Sequence, residues 1–158
     1  MEEYLATSFS PDREYLDGEI RERNSGENPH SLVQYRLILF FGELARTRPV
    51  HPRPELRLPV TPTRYRVADL AVFAGEAPAE NVPSRPTLVI VEIVSRDDRY
   101  VEILEKLEEY RRWGVRHIGL VDPWLSRLHV YSAQSLTETQ AFEIPELDAR
   151  ISAAEILR

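Results

Sequence analysis

Cysteine is absent from the 158-residue chain. This excludes a disulfide scaffold and any thiolate metal site, and it suits a reducing cytosol. Lysine is nearly absent as well: of the 20 lysines and arginines together, Lys106 is the single lysine. Long apolar runs are missing: Leu88 to Val91, Leu37 to Phe41 and Leu70 to Ala74 are all far short of the roughly 20 residues a membrane-spanning helix needs. The N-terminal stretch MEEYLATSFSPDREY is acidic and lacks the basic-then-apolar order of a signal peptide. Positive charge is in deficit, with a net charge of -6. That counts against a domain that coats nucleic acid nonspecifically, because phosphate contact needs clustered cations. A local basic patch stays compatible with it, and carboxylates that bind metal would add to the negative total. A soluble, cytoplasmic protein with no membrane partner is the expectation.

What is present fits a folded protein. A hydrophobic fraction of 42% with 29% charged residues excludes disorder. The length suits one domain over 1–158, able to bury about two-thirds of its unfolded surface. There is no internal repeat, and no linker is long enough to separate one domain from another. Arg13 to Arg23 reads as a hairpin turning at Asp17-Gly18. Asn28-Pro29 opens a helix over His30 to Arg46, where Leu32, Val33, Leu37, Phe40, Phe41 and Leu44 recur at helical spacing. Pro49, Pro52, Pro54, Pro59 and Pro62 predict an extended, turn-rich crossing with at most a short strand at Glu55 to Leu58. Tyr65 to Phe73 reads as a strand, Gly75 to Pro86 as a loop, and Thr87 to Val94 as a central strand covered on both faces. Arg99 to Trp113 is an amphipathic helix closed by Gly114. Strands follow at His117 to Val121, Leu128 to Tyr131 and Thr139 to Ile144, and a short helix at Ser152 to Leu157. This order implies an α/β fold with a mixed central sheet flanked by helices.

The candidate chemistry starts with Glu92, set inside the apolar run TLVIVEIV. A carboxylate buried there needs a cation or hydrogen-bond donors, and an ion pair with an arginine would serve as well as a functional role. Asp69 is a second carboxylate in a second apolar strand. If the two strands pair, the acids face one another near one sheet end, where two hard oxygen ligands suit Mg²⁺ or Mn²⁺. The structural alternative for Asp69 is a strand end or a pair with Arg66. Lys106 borders the apolar face formed by Tyr100, Ile103, Leu104, Leu107 and Tyr110. From there its ammonium can reach the sheet end and orient a water or neutralise developing charge, which an arginine fork does less well. Its plain alternative is a solvated lysine paired with Glu102 or Glu109.

Taken together, Val67-Ala68-Asp69, Val91-Glu92-Ile93-Val94-Ser95, Glu105 to Tyr110, Gly114-Val115 and Leu120-Val121-Asp122-Pro123 resemble the Uma-type family of restriction endonucleases, within the PD-(D/E)xK nuclease superfamily. Upstream, Glu14 to Glu19 and His30 at the head of a helix resemble its usual opening, so the likeness covers nearly the whole chain. The resemblance implies a restriction-endonuclease-like core that binds a divalent ion, Mg²⁺ or Mn²⁺, through Asp69 and Glu92. It also implies a lysine drawn from the following helix, since position 94 is Val and Lys106 is at hand. Ala68 departs from the proline that normally precedes the aspartate. Glu14 or Glu19 is implied as a further carboxylate.

Other neighbours carry two readings each. Ser95 with Asp98 suggests a helix cap ahead of a catalytic role, and His30 a helix start ahead of a role touching metal or phosphate. Asp122-Pro123 reads as a strand end, and Trp113 and Trp124 as packing or interface residues. The expected function is metal-dependent hydrolysis of phosphodiesters by an activated water, with DNA preferred to RNA. Arg64, Arg66, Arg96 and Arg99 would contact the nucleic acid, and a homodimer would suit the cutting of two strands. Two other classes stay open: an inactive nuclease-fold module that binds nucleic acid or a protein partner, and a metal-dependent hydrolase of a small phosphorylated substrate.

Overall fold

The β-branched run at Val89–Ile93 packs on both of its faces, and the rest of the architecture is arranged around it. The computed structural model describes residues 1–24, 26–133 and 135–158. Within them the chain forms α1 (Glu2–Ala6), β1 (Arg13–Leu16), β2 (Glu19–Glu22), α2 (Asn28–Ala45), β3 (Val50–Thr61), β4 (Arg64–Ala74) and β5 (Val89–Ile93). There follow α3 (Tyr100–Trp113), β6 (His117–Asp122), β7 (Arg127–Ser132), β8 (Ser135–Thr139), β9 (Ala141–Ile144), a 3₁₀ turn at Pro145–Leu147, β10 (Ala149–Ser152) and α4 (Ala153–Leu157).

The main sheet has eight strands, in the order β2-β1-β4-β5-β6-β7-β8 with β3 paired to β4, and β9 and β10 form a separate ribbon. β5 and β6 run parallel, joined by α3 as the crossover, and the neighbouring pairs β4–β5 and β6–β7 are antiparallel. The sheet is therefore mixed. On one face Val33, Leu37 and Phe41 of α2 pack with Leu70, Val72, Val89 and Val91. On the other, Leu107 and Tyr110 of α3 pack with Phe73, Ile90, Ile118 and Leu120. A strand between two layers must be apolar at each position, and β5 is, apart from Glu92. Among the described residues no helix is long and apolar enough to cross a membrane.

Several boundaries differ from expectation. The proline-rich crossing is a twelve-residue strand, β3. It takes its ladder partner on one side, from β4, so Pro52, Pro54 and Pro59 can turn the edge lacking an N–H away from the ladder. The expected strand Thr139 to Ile144 is broken at Gln140: Thr139 is the last residue of β8, which begins at Ser135, and β9 leaves the main sheet to pair with β10. α1 and β10 carried no clear periodicity in sequence. The Asp17-Gly18 turn is confirmed: both residues have positive φ, 52° and 101°, and Leu16 pairs with Glu19, as a two-residue hairpin turn requires.

Gly114 ends α3 in a left-handed conformation, φ 113°, with its N–H donated back to the carbonyls of Tyr110 and Arg111. A Cβ at this position would stand 3.1 Å from Cγ of Pro86. Gly114→Ala is therefore expected to cost more than about 1 kcal/mol of stability. Urea unfolding should show a lower midpoint with unchanged slope, and an unshifted midpoint would contradict the strain.

Candidate active site

The alternation of faces along β3 and β4 reverses at one place. In β4, Ala68 packs with the α3 layer whereas Leu70 and Val72 pack with the α2 layer. In β3, Val50 belongs to the α2 layer whereas Leu58 and Val60 belong to the α3 layer. The reversal falls between the paired positions Pro54–Leu70 and Leu56–Ala68, at Glu55 and Asp69. Glu55 makes the crossing with φ 50°, a conformation that costs a residue other than glycine about 1 kcal/mol or more. Asp69 consequently lies where neither apolar layer claims it.

The β4–β5 ladder ends at Leu70 opposite Val91, so Asp69 and Glu92 are the next residues along the two strands. In place of a further ladder bond, Oδ2 of Asp69 accepts the N–H of Ile93 at 2.8 Å. Nε2 of His30, in the first turn of α2, stands 3.3 Å from the same oxygen. Oδ1 of Asp69 accepts from Arg23 at 2.5 Å. Glu92 points into the α3 layer, where Oε2 accepts from Lys106 at 2.9 Å and Oε1 from the Tyr110 hydroxyl at 2.8 Å. The Lys106 ammonium also donates to the carbonyl of Val67 at 2.9 Å and lies 3.1 Å from Oε1 of Glu14. Asp69, Glu92, Lys106, Glu14, His30 and Arg23 line one pocket of about 260 Å³, together with Ser95 and Arg99.

The structure thus brings Asp69, Glu92, Lys106, Glu14, His30 and Ser95 together. Of the others, Arg66 and Arg99 also line the pocket, whereas Glu19 and Arg96 do not. Glu19 lies on the exposed strand β2, where it meets Arg21 at 3.2 Å, and it does not line the pocket. Arg66, expected to contact nucleic acid, is buried with its Nη1 on Glu14 at 2.8 Å and its Nε on Glu109 at 2.6 Å, so it acts as an internal strut. Arg64 is tied to Glu105 and Glu109. Arg96 and Arg99 are exposed on the β5–α3 loop: the first lies 4.7 Å over the ring of Trp124, the second 3.3 Å from Glu102. Ser95 does not cap α3 with its side chain. Its N–H donates to Asp98 at 2.7 Å, which closes a turn ahead of the helix, whose cap residue is Arg99.

Sequence reasoning missed Arg23, Glu55 and Gln34. Arg23 also binds Glu55, and Gln34 donates to Glu55 at 2.7 Å and to the Asp69 carbonyl at 2.9 Å. The one available signal was Gln34, four residues after His30 and therefore on the same helix face.

Charge in this pocket is uneven. Burial drives Glu92 up to about 7, and the neighbouring charge of Asp69 adds to the rise against Lys106 and Arg23. Burial would raise Asp69 too, but the His30 hydrogen bond and the charges of Arg23 and Lys106 hold it well below the usual carboxylate range. Lys106 is pushed down by burial and pulled further up by Glu14 and Glu92, so it stays an ammonium. His30 is raised on balance, burial opposing it and Asp69 favouring it. Among the described residues no three His, Asp or Glu side chains already converge as a preformed metal cage. Even so, the donor set fits a hard divalent cation. Acids outnumber basic residues in the pocket lining, and Asp69 and Glu92 among them offer the hard oxygen ligands that such a cation prefers.

Glu14 supports this arrangement from β1. Burial pushes it up, yet Lys106 and Arg66 outweigh burial and bring it from 4.5 to about 2. A depressed carboxylate stabilises the fold above its unfolded value and loses that contribution as pH falls through the folded one. Glu14→Gln should therefore destabilise most at neutral pH, with a pH-dependent share of about 3 kcal/mol. The gap to wild type should narrow as pH falls from about 4.5 towards 2. Unfolding free energies measured across that range check it, and a gap independent of pH would refute it.

A crystal structure from Anabaena variabilis ATCC 29413, described as a putative nuclease belonging to DUF820, superimposes with a TM-score of 0.83 at 20% identity, covering 99% of this chain and 96% of that one. At that identity the likeness speaks for the fold alone, an α/β fold with a mixed central sheet. No curated protein matches the sequence. The family model described as "Uma2: Putative restriction endonuclease" matches residues 1–158, and the chain belongs to that family.

Proposed function

We propose that the protein is a divalent-metal-dependent endonuclease that hydrolyses phosphodiester bonds in DNA. The observation that carries this reading is the convergence of Asp69, Glu92 and Lys106, from two strands and the crossover helix, on one pocket. Asp69 and Glu92 would hold Mg²⁺ or Mn²⁺. When bound, such an ion lowers the pKa of water and screens the charge of a phosphate. The chain's own residues supply the rest. The Ile93 N–H and His30 fix the orientation of the Asp69 carboxylate, and the Tyr110 hydroxyl fixes that of Glu92. Glu14 and the Val67 carbonyl hold the Lys106 ammonium in place, where it can orient the attacking water and stabilise the charge that develops on the phosphate. Arg96 and Arg99, both exposed on the β5–α3 loop, would meet the nucleic-acid backbone. A second copy of the chain would provide the second site for cutting both strands.

A second reading is favoured by one observation, the hold of Arg23 on Asp69: a nuclease-fold module that binds without cutting. Plasmid nicking under Mg²⁺ and Mn²⁺ separates the two. Wild-type protein should nick, and Asp69→Asn, Glu92→Gln and Lys106→Ala should each reduce the rate by at least about 100-fold. Lys106→Arg should not restore it, since a planar fork cannot replace the ammonium. If wild type and Lys106→Ala are equally inactive with both metals, the binding module is the correct reading.

A further inference from the structure

Arg23 follows β2, the terminal strand of the main sheet, whose four residues are all exposed. From this peripheral position its guanidinium turns inward, so that the side chain is only 17% exposed. One nitrogen donates to Oδ1 of Asp69 at 2.5 Å and the other to the carboxylate of Glu55. The next residue, Asn24, donates from Nδ2 to Oδ1 of Asp98 at 2.7 Å, on the β5–α3 loop. Arg23 and Asn24 thus link the β3–β4 wall of the pocket to the opposite loop, and both line it.

This hold differs from the other buried ion pairs in what is left when it opens. Asp69 would keep the Ile93 N–H and His30. Glu55 would keep the amide of Gln34 at 2.7 Å, and Arg23 itself would pass to solvent. Of the buried acceptors only Oδ1 of Asp69 would lose its donor, and an incoming cation would meet that need, so the penalty for breaking the pair falls on a single atom that the replacement itself satisfies. Arg66 is the contrast: it is buried between Glu14 and Glu109 inside the fold and has no such path to solvent. Oδ1 is also the oxygen of Asp69 that the backbone does not use. A guanidinium at 2.5 Å and a divalent cation cannot share it, because two positive charges so close repel strongly where the dielectric is low.

We propose that Arg23 is an exchangeable resident cation of this site, competing with the divalent ion for Oδ1 of Asp69 and thereby setting the metal concentration at which the site fills. The inference rests on the reading of Asp69 as a metal ligand. It assigns to Arg23, and to the Glu55 that steadies it, control over metal affinity.

The test is Mn²⁺ binding to the full chain, read from the electron paramagnetic resonance signal of free Mn²⁺ without substrate. Arg23→Gln should bind Mn²⁺ at least about tenfold more tightly than wild type, each tenfold being a modest change in binding free energy. Arg23→Lys, which keeps the charge without the fork, should fall between them and serves if the glutamine variant folds poorly by circular dichroism. In Arg23→Ala, millimolar methylguanidinium should weaken Mn²⁺ binding, while wild type should not respond. Asp69→Asn should abolish the binding in every background. If folded Arg23→Gln or Arg23→Lys binds Mn²⁺ no more tightly than wild type, Arg23 is a fixed partner and the inference fails, while the nuclease reading stands or falls on the nicking assay. If no variant shows binding that depends on Asp69, the metal-site reading fails and takes this inference with it.

Discussion

The ammonium of Lys106 lies between two buried carboxylates, 2.9 Å from Glu92 and 3.1 Å from Glu14, with the carbonyl of Val67 at 2.9 Å as its third partner. A lysine carries three N–H donors that diverge from one point, whereas an arginine carries its donors in a plane. The site presents three acceptors drawn from β1, β4 and β5, around the end of a helix-borne side chain, and a compact ammonium suits that arrangement. This explains why a chain that otherwise uses arginine keeps its single lysine here. Without this cation, Glu92 would be a carboxylate among valines and isoleucines with a tyrosine hydroxyl as its remaining side-chain donor, at a cost of several kcal/mol.

From that centre the charges continue outward in alternation. Glu14 faces both Lys106 and Arg66, and Arg66 in turn faces Glu109, which also receives Arg64. Each member has a partner on both sides, so the network ties β1, β4 and α3 together by directional contacts that apolar packing does not supply. Such a network is worth little as net stability when weighed against an apolar core of equal volume, yet the loss of one member leaves a buried charge exposed to the cost of desolvation. Its value here is geometric. It holds the Lys106 end of the pocket in one arrangement, with Glu92 and Lys106 set against each other and against the rigid sheet.

The features of this site that were legible in the sequence are those where residue type contradicts its surroundings. Glu92 interrupts a β-branched run, Asp69 interrupts another, and Lys106 stands alone among arginines, so each asks for an explanation before any coordinates exist. The central strand and both long helices were legible for the matching reason, that their period and caps agree with the fold. β3 was not, because prolines argue against a strand unless its unpaired edge is known, and pairing is a tertiary fact. Glu55 and Arg23 were illegible because the reversal of faces at Glu55 depends on a positive φ that no turn residue announces. Arg66 was misplaced on the surface for a related reason. In a chain so rich in arginine, type alone cannot distinguish an internal strut from a phosphate contact.

The β1–β2 hairpin shows how position converts similar ion pairs into different roles. Its turn is anchored, since the N–H of Asp17 donates to the Thr63 carbonyl at 3.0 Å and the Thr63 hydroxyl to the Asp17 carboxylate at 2.7 Å. β1 is paired on both sides, with β2 and with β4, and its Glu14 is buried beneath the network that holds Lys106. β2 is the sheet's last strand and is exposed throughout. Local opening is cheapest where few apolar contacts and few paired neighbours must be broken. The same hairpin therefore delivers a permanent support through Glu14 on its inner strand and a removable one through Arg23 just beyond its outer strand. A buried carboxylate such as Asp69 needs a cation at all times, but it does not need the same one, and a guanidinium carried on the loosest edge of the sheet is the partner that can most readily be exchanged.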